Sequence, residues 1–151
     1  MKKTIIIIVV AIVLIQLIPV DRDNPTVKPA DEIVVTGEVN DIIKQACYNC
    51  HSNQTSWPWY SYVAPVSWLI THDVHEGRGE LNFSNWNLYS EKRQKRKMNE
   101  IADQVEEADM PLPIYTIMHR EADLSENQRK KLISWANSYF DDMKQDSTST
   151  K

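Results

Sequence analysis

Hydrophobic residues recur at intervals of three and four along most of the chain, which is the spacing of an amphipathic helix. The pattern predicts helices over residues 38–46, 65–77, 91–109 and 125–143. Pro111 forbids continuation of the third helix, and no stretch alternates strictly enough between apolar and polar residues to form a strand. The predicted fold class is therefore all-α.

Each predicted helix carries one apolar face, and the residues on those faces are the expected core. A serine and a glutamine three residues apart, Ser125 and Gln128, predict a capping box at the start of the last helix. In chain order, the expected core faces are Val39, Ile42, Ile43 and Ala46; Val66, Leu69, Ile70 and Val74; Met98, Ile101, Ala102 and Val105; and Leu132, Ile133, Ala136, Tyr139, Phe140 and Met143.

The chain begins with two lysines and a nearly unbroken apolar stretch, MKKTIIIIVVAIVLIQLIPV. Such a segment predicts export or anchoring, and the bulky residues at its end favour an anchor that is not cleaved. We therefore divide the chain into an anchor or signal sequence over 1–20, a tether over 21–37, a domain over 38–143 and a disordered tail over 144–151. Because basic residues stay cytoplasmic, we expect the domain on the periplasmic or outer side of the bacterial cytoplasmic membrane.

The net charge of the chain indicates which macromolecules it can bind. The 151 residues have a formal net charge of −4, which argues against a nucleic-acid surface. The length accommodates one membrane segment and one domain of modest size. The membrane and another protein are therefore the expected macromolecular partners.

Both cysteines of the chain lie in the segment CYNCH, where Cys47 and Cys50 precede His51. Residues three apart share one side of a helix, and the histidine follows the second cysteine directly. This arrangement is typical of covalent attachment of haem c, in which two thiols bind the vinyl groups and the imidazole binds the iron. The attachment takes place outside the bacterial cytoplasmic membrane, where the predicted anchor would put the domain.

Two other uses of the cysteines stay open at this point. Cys47 and Cys50 form a Cys₂His₂ set with His72 and His75, with the short spacing within each pair that zinc sites use. That set leaves His51 without a role. The remaining alternative is a disulfide or a redox dithiol, although a catalytic dithiol usually begins a helix after a strand and this pair ends a helix.

The residue at the second axial position of a haem iron decides between electron transfer and ligand chemistry. Met110 is the first candidate, because the prolines that follow it hold the backbone extended. His72 is the alternative distal ligand, since it shares a helix face with Trp68. We expect His119 to bond a haem propionate or to cap a turn, and Arg78 to pair with a propionate or with a neighbouring glutamate.

Two longer segments extend the pattern, CYNCHSNQTSWPWYSYVAPVSWLITHDVHEGRGELNFSNW and EEADMPLPIYTIMHREADLS, and a closing helix follows them. On these segments the chain resembles a small bacterial haem-binding domain family with one CxxCH motif. The resemblance extends from Leu17 to about Phe140. The resemblance implies one covalent haem c on Cys47 and Cys50 with His51 as axial ligand. More loosely, the order of elements is similar to that of class I cytochromes c, where a methionine before proline is the distal ligand.

These features together predict a small cytochrome c-like helical domain behind an N-terminal transmembrane helix. The predicted function is haem c binding and single-electron transfer outside the cytoplasmic membrane, with an unidentified redox partner protein. On this interpretation the protein is expected to be an electron carrier and not an enzyme. The alternatives are a haem-based enzyme or gas sensor with an open distal site, and a zinc-stabilised interaction module.

Overall fold

The computed structural model describes the backbone of residues 1–149 and the side chains of residues 1–141. These described residues form α-helices and short 3₁₀ turns without a β-strand, which confirms the all-α prediction. The helices are α1 (Lys2–Ile15), α2 (Gly37–Ala46), α3 (Tyr48–His51), α4 (Val66–Glu80), α5 (Glu91–Glu106), α6 (Pro113–Met118) and α7 (Glu126–Ser149). The 3₁₀ turns cover Trp59–Tyr62, Phe83–Leu88 and Arg120–Ala122.

The core lies where α2 and α5 pack against α7. Trp86 is fully buried at its centre, and its indole N–H donates a hydrogen bond to the Tyr139 hydroxyl over 2.9 Å. The largest core ring therefore has a partner for its only polar atom. Ile43, Met98 and Leu132 are also buried, which confirms the predicted core faces of α2, α5 and α7 within the described side chains.

The predicted core face of α4 is wrong at Val66 and Leu69, whereas its last member, Val74, is buried as predicted. Val66 and Leu69 are 42% and 44% exposed, whereas Ser67, Thr71 and Val74 are buried. This inner face contacts α3 and the 3₁₀ turn before α4, and its small side chains let the neighbouring backbones approach closely. Apolar spacing alone identified a stripe on α4 but not the side on which the helix would pack.

Two helix ends differ from their predicted positions. α4 continues to Glu80, beyond the end expected at Gly77, and α5 ends at Glu106, before the expected Asp109. The capping box of α7 is confirmed, because the backbone N–H of Ser125 donates to Gln128 Oε1 over 2.9 Å and the backbone N–H of Gln128 donates to Ser125 Oγ over 3.3 Å.

The C-terminal helix α7 is longer than predicted. α7 continues through Ser149, into the stretch that we predicted as a tail. The side chain of Met143, which we placed on the core face of α7, lies outside the described side chains. Residues 150 and 151 of the predicted tail lie outside the described residues altogether.

The N-terminal part of the chain combines an uncovered helix with a packed extended segment. No residue of α1 is buried, and among the described residues no helix is both long and apolar enough to cross a membrane. After α1, Ile33 is only 5% exposed and its N–H donates to the Phe83 carbonyl over 2.9 Å. The stretch that we divided off as a tether therefore contacts the domain, while the division of the chain into parts stays a prediction.

Candidate haem-binding site

The CYNCH segment forms a single helical turn directly after α2. The carbonyl of Cys47 accepts hydrogen bonds from the N–H of Cys50 over 3.2 Å and from the N–H of His51 over 2.9 Å. Both cysteines are free thiols. The predicted position of this cluster at the C-terminal end of a helix is therefore confirmed.

A cavity of about 580 Å³ lies beside this turn. Its volume falls in the range of pockets that hold cofactors and other small molecules. The cavity is lined by the two predicted haem-attachment residues, Cys47 and Cys50, and by the predicted proximal ligand, His51. The first candidate for the distal ligand, Met110, also lines it. The apolar part of its wall includes Ile43, Phe83, Ile101, Val105, Leu124 and Leu132.

The imidazole of His51 is held by two backbone carbonyls of the α4 end. Nδ1 lies 2.9 Å from the carbonyl oxygen of Gly77 and 3.2 Å from that of Leu81. Nδ1 must therefore carry a proton, which leaves Nε2 as the nitrogen with a lone pair. Burial lowers the pKa of His51 although these hydrogen bonds oppose it, and the Lys97 ammonium lowers it further. The neutral ring is the form that ligates a metal.

Gly77 allows α4 to lie against the CYNCH turn. A Cβ atom on Gly77 would meet the Cys50 carbonyl oxygen at 2.7 Å and the Cys50 Cβ at 3.2 Å, so only glycine fits here. The apolar spacing predicted a helix end at Gly77 and gave no sign of this close approach. A glycine within a helical pattern was the signal that could have indicated this contact. Glycine lowers the stability of a helix, so its presence there suggests a place where another part of the chain comes close.

The two cysteines are half-buried, and their thiols hold their protons. Burial raises the pKa of Cys47 to about 12, with a further contribution from Cys50. Burial, followed by the charge of Asp73, raises the pKa of Cys50 to about 11, although Arg78 acts in the opposite direction. A redox dithiol needs a thiolate near neutral pH, so these environments do not favour that alternative.

Met110 is positioned by the way the chain leaves α5. Ala108 has a φ of 61°, in the left-handed region where glycine is the usual residue after a helix. This turn directs the N–H groups of Asp109 and Met110 to the same Gln104 carbonyl, over 3.0 Å and 3.1 Å. The strained residue thereby places Met110 at the cavity wall.

The histidines of α4 lie away from the cavity. The side chain of His72 is 64% exposed and its Nε2 is 3.4 Å from Glu76. The side chain of His75 is 46% exposed and 3.9 Å from Asp21. Neither is among the described residues that line the cavity, and within that part of the chain no three His, Cys, Asp or Glu residues are grouped to hold a metal ion. The Cys₂His₂ set of the zinc alternative is therefore not assembled.

His119 joins the segment after Met110 to the 3₁₀ turn Trp59–Tyr62. Its Nε2 lies 2.5 Å from the Tyr60 hydroxyl, and its Nδ1 lies 2.8 Å from Glu121. Its ring stacks on Tyr115, with 4.3 Å between centroids. Tyr115 lines the cavity and accepts a hydrogen bond from Asn49, between the two cysteines, over 2.7 Å. No local sequence pattern predicts this network, because its members come from separate segments of the chain.

Arg78 binds loop backbone and loop side chains instead of the neighbouring glutamates that we considered. Its Nε donates to the Ser52 carbonyl and its Nη1 to the Asp23 carbonyl, each over 2.8 Å. Its Nη2 donates to Asn24 Oδ1 over 2.6 Å and to Thr55 Oγ1 over 2.8 Å. The guanidinium thus fastens the extended segment after α1 to the loop after the cysteine turn.

An Arg78→Lys protein should lose about 2 kcal/mol of free energy of unfolding, because one ammonium replaces only part of four hydrogen bonds. Arg96→Lys is the matched control, since exposed Arg96 makes one ion pair, with Glu100 over 3.4 Å, and its replacement should cost less than about 0.5 kcal/mol. Denaturant unfolding of both proteins measures the difference. Equal losses would contradict the structural role of Arg78.

Lys97 is the one lysine or arginine among the described residues that line the cavity. Its ammonium is 3.1 Å from Glu80 and 2.6 Å from Glu100, and its side chain is only 5% exposed. The carboxylates of Asp73 and Asp103 also line the cavity. Because Glu80 is 79% exposed, these charges mark the side on which the cavity reaches solvent.

Comparison with known proteins places the chain in a family. Residues 10–138 match the haem-binding domain family, a range that contains the CYNCH turn and every cavity-lining residue discussed above. The chain matches no curated protein and no solved structure. The family resemblance predicted from the sequence is confirmed, and the cavity offers the volume, apolar wall and imidazole that haem requires. This chain belongs to the haem-binding domain family.

Proposed function

We propose that this protein binds one haem c covalently and transfers single electrons outside the cytoplasmic membrane. In this proposal Cys47 and Cys50 form the thioether bonds, His51 is the proximal ligand and Met110 is the distal ligand. One observation supports the whole set: these four side chains, which come from two separate parts of the chain, line the same cavity.

Each of these residues has a definite task. Haem, when bound, supplies one-electron chemistry at its iron. Cys47 and Cys50 would hold one edge of the macrocycle, and His51 would ligate through Nε2 because the carbonyls of Gly77 and Leu81 occupy Nδ1. The apolar part of the wall would shield the haem from water on that side, so little rearrangement would accompany a change of oxidation state.

The location of the domain is part of the proposal. A single-pass anchor over residues 1–20 would hold the domain at the bacterial cytoplasmic membrane, on the periplasmic or outer side. Supporting this, α1 is apolar from Thr4 onwards, has two lysines at its start, and buries none of its side chains in the domain. The redox partner protein would dock where the cavity reaches solvent, beside Glu80 and Glu100.

The distal ligand is tested by comparing the absorption spectra of haem-loaded Met110→Ala and His72→Ala proteins. We expect the Met110→Ala protein to become high-spin and to bind carbon monoxide readily, since nothing replaces the thioether. The His72→Ala protein should keep the low-spin spectrum of the unsubstituted protein, because His72 lies outside the cavity wall. An unchanged Met110→Ala spectrum would contradict the assignment. A high-spin unsubstituted protein that binds cyanide would instead favour a haem enzyme or sensor.

A further inference from the structure

Large apolar side chains are exposed along the segment that leads into α4 and along the first turns of that helix. Trp59 is 74% exposed and Tyr62 is 58% exposed, and Val63, Val66 and Leu69 are each more than two-fifths exposed. We name these five residues the interfacial patch. Several large apolar side chains exposed within one short stretch of chain mark a surface that meets another apolar phase or partner.

The interfacial patch is joined directly to the end of α1. The side-chain amide of Gln16, at the C-terminal cap of α1, donates to the Ala64 carbonyl over 3.1 Å and accepts from the Ala64 N–H over 2.9 Å. Ile18 and Tyr62 line one small hollow together with Gln16 and Ala64. Both backbone groups of Ala64, which follows Val63 of the patch, are therefore satisfied by the residue that ends the apolar helix.

No side chain of α1 is buried by protein. Ile5, Ile7 and Val13 are each more than half exposed, and the helix contains no acidic residue. A fully apolar helix surface is unfavourable in water, at roughly 25 cal/mol for each Å² exposed. The covering that suits such a helix is hydrocarbon, and the lysines at its start favour a membrane with anionic lipids.

We propose that the interfacial patch lies in the headgroup layer of the same bilayer that receives α1. This inference rests on the membrane anchor of the proposed function and adds a second contact with lipid. Because Gln16 ties Ala64 to the end of α1, the patch is held at the depth where the chain leaves the hydrocarbon. Tryptophan and tyrosine rings are favoured at that depth.

Arg22 fits the same position. Its guanidinium lies over the Tyr62 ring, 4.3 Å from the centroid, and also donates to the Ser61 carbonyl over 3.3 Å. A cation at the rim of an apolar patch matches a layer of lipid phosphates. The domain would then keep one orientation on the bilayer, with the cysteine turn at a fixed distance from the lipid.

The experiment uses the full haem-loaded chain in vesicles of phosphatidylcholine and phosphatidylglycerol that contain a lipid with a photoactivated carbene near the headgroup. Peptide mass spectrometry then locates the label. We expect label in α1 and in residues 59–69, but not at Leu88, an apolar residue that is 65% exposed at the end of another segment. The Val63→Glu/Val66→Glu protein should lose the label in 59–69 and keep the label in α1, while Leu88→Glu should change neither.

The outcomes separate this inference from the anchor on which it rests. If α1 is labelled and residues 59–69 carry no more label than Leu88, the patch does not contact lipid, although the membrane anchor is supported. A chain that does not float with the vesicles would overturn both. If the chain forms a dimer without lipid and residues 59–69 are shielded from solvent in that dimer, the patch is a self-association surface and not a lipid contact. The haem spectrum of each variant, unchanged from that of the unsubstituted protein, establishes that the domain is folded.

Discussion

A Gly77→Ala protein is expected to take up little haem and to lose about 2–3 kcal/mol of free energy of unfolding. The added methyl group would lie 2.7 Å from the carbonyl oxygen of Cys50, so α4 and the cysteine turn must move apart. The same movement would carry the Gly77 carbonyl away from Nδ1 of His51, which it now meets at 2.9 Å. One methyl group thus disturbs both a proposed attachment point and the proposed proximal ligand.

Gly79→Ala is the matched control, because it makes the same chemical change two residues later on the same helix. Nothing lies within 4 Å of a Cβ atom built on Gly79. This substitution should leave haem content unchanged and raise the free energy of unfolding by up to about 1 kcal/mol, since alanine favours helix more than glycine. Haem content per chain and denaturant unfolding of both proteins measure the effects. Full haem loading of the Gly77→Ala protein would show that the close approach is dispensable.

A His51→Ala protein is expected to keep its haem through Cys47 and Cys50 but to lose the low-spin absorption spectrum. Without the imidazole the iron has no ligand on the proximal side, and an external ligand can bind there. The carbonyls of Gly77 and Leu81 also lose their shared donor, which should cost about 1–2 kcal/mol of free energy of unfolding. Ligand chemistry and stability should therefore change together.

Absorption spectra of the ferric and ferrous forms measure the first effect, and added imidazole should restore a low-spin spectrum in the His51→Ala protein. His75→Ala is the control, because the exposed ring of His75 lies on α4 outside the cavity wall. That protein should match the unsubstituted one in spectrum and stability. A His51→Ala protein with an unaltered spectrum would exclude His51 as the axial ligand.

The parts of this site that depend on short-range patterns could be predicted from the sequence. CYNCH was placed at the end of a helix because the apolar spacing before it stops there, and the structure has α2 end at Ala46. The capping box of α7 depends on two residues three positions apart. Met110 was singled out by the prolines beyond it, and it lines the cavity.

The parts that depend on packing could not be predicted in the same way. Apolar spacing on α4 suggested that Val66 and Leu69 face the core, yet the helix packs through Ser67 and Thr71. If the interfacial patch meets lipid, Val66 and Leu69 form an apolar face whose partner is lipid and not the protein core. The burial of Lys97 likewise depends on Glu80 from a different helix, and no local pattern pairs the two.

The central claim, covalent haem on Cys47 and Cys50, is tested most directly by mass spectrometry under denaturing conditions. The chain is produced in a bacterium with the apparatus for haem c attachment, next to a Cys47→Ser/Cys50→Ser protein. The account predicts that the unsubstituted chain gains the mass of one haem on the peptide that contains CYNCH, and that the double variant gains none. An unmodified mass for a chain whose native absorption spectrum shows bound haem would contradict covalent attachment.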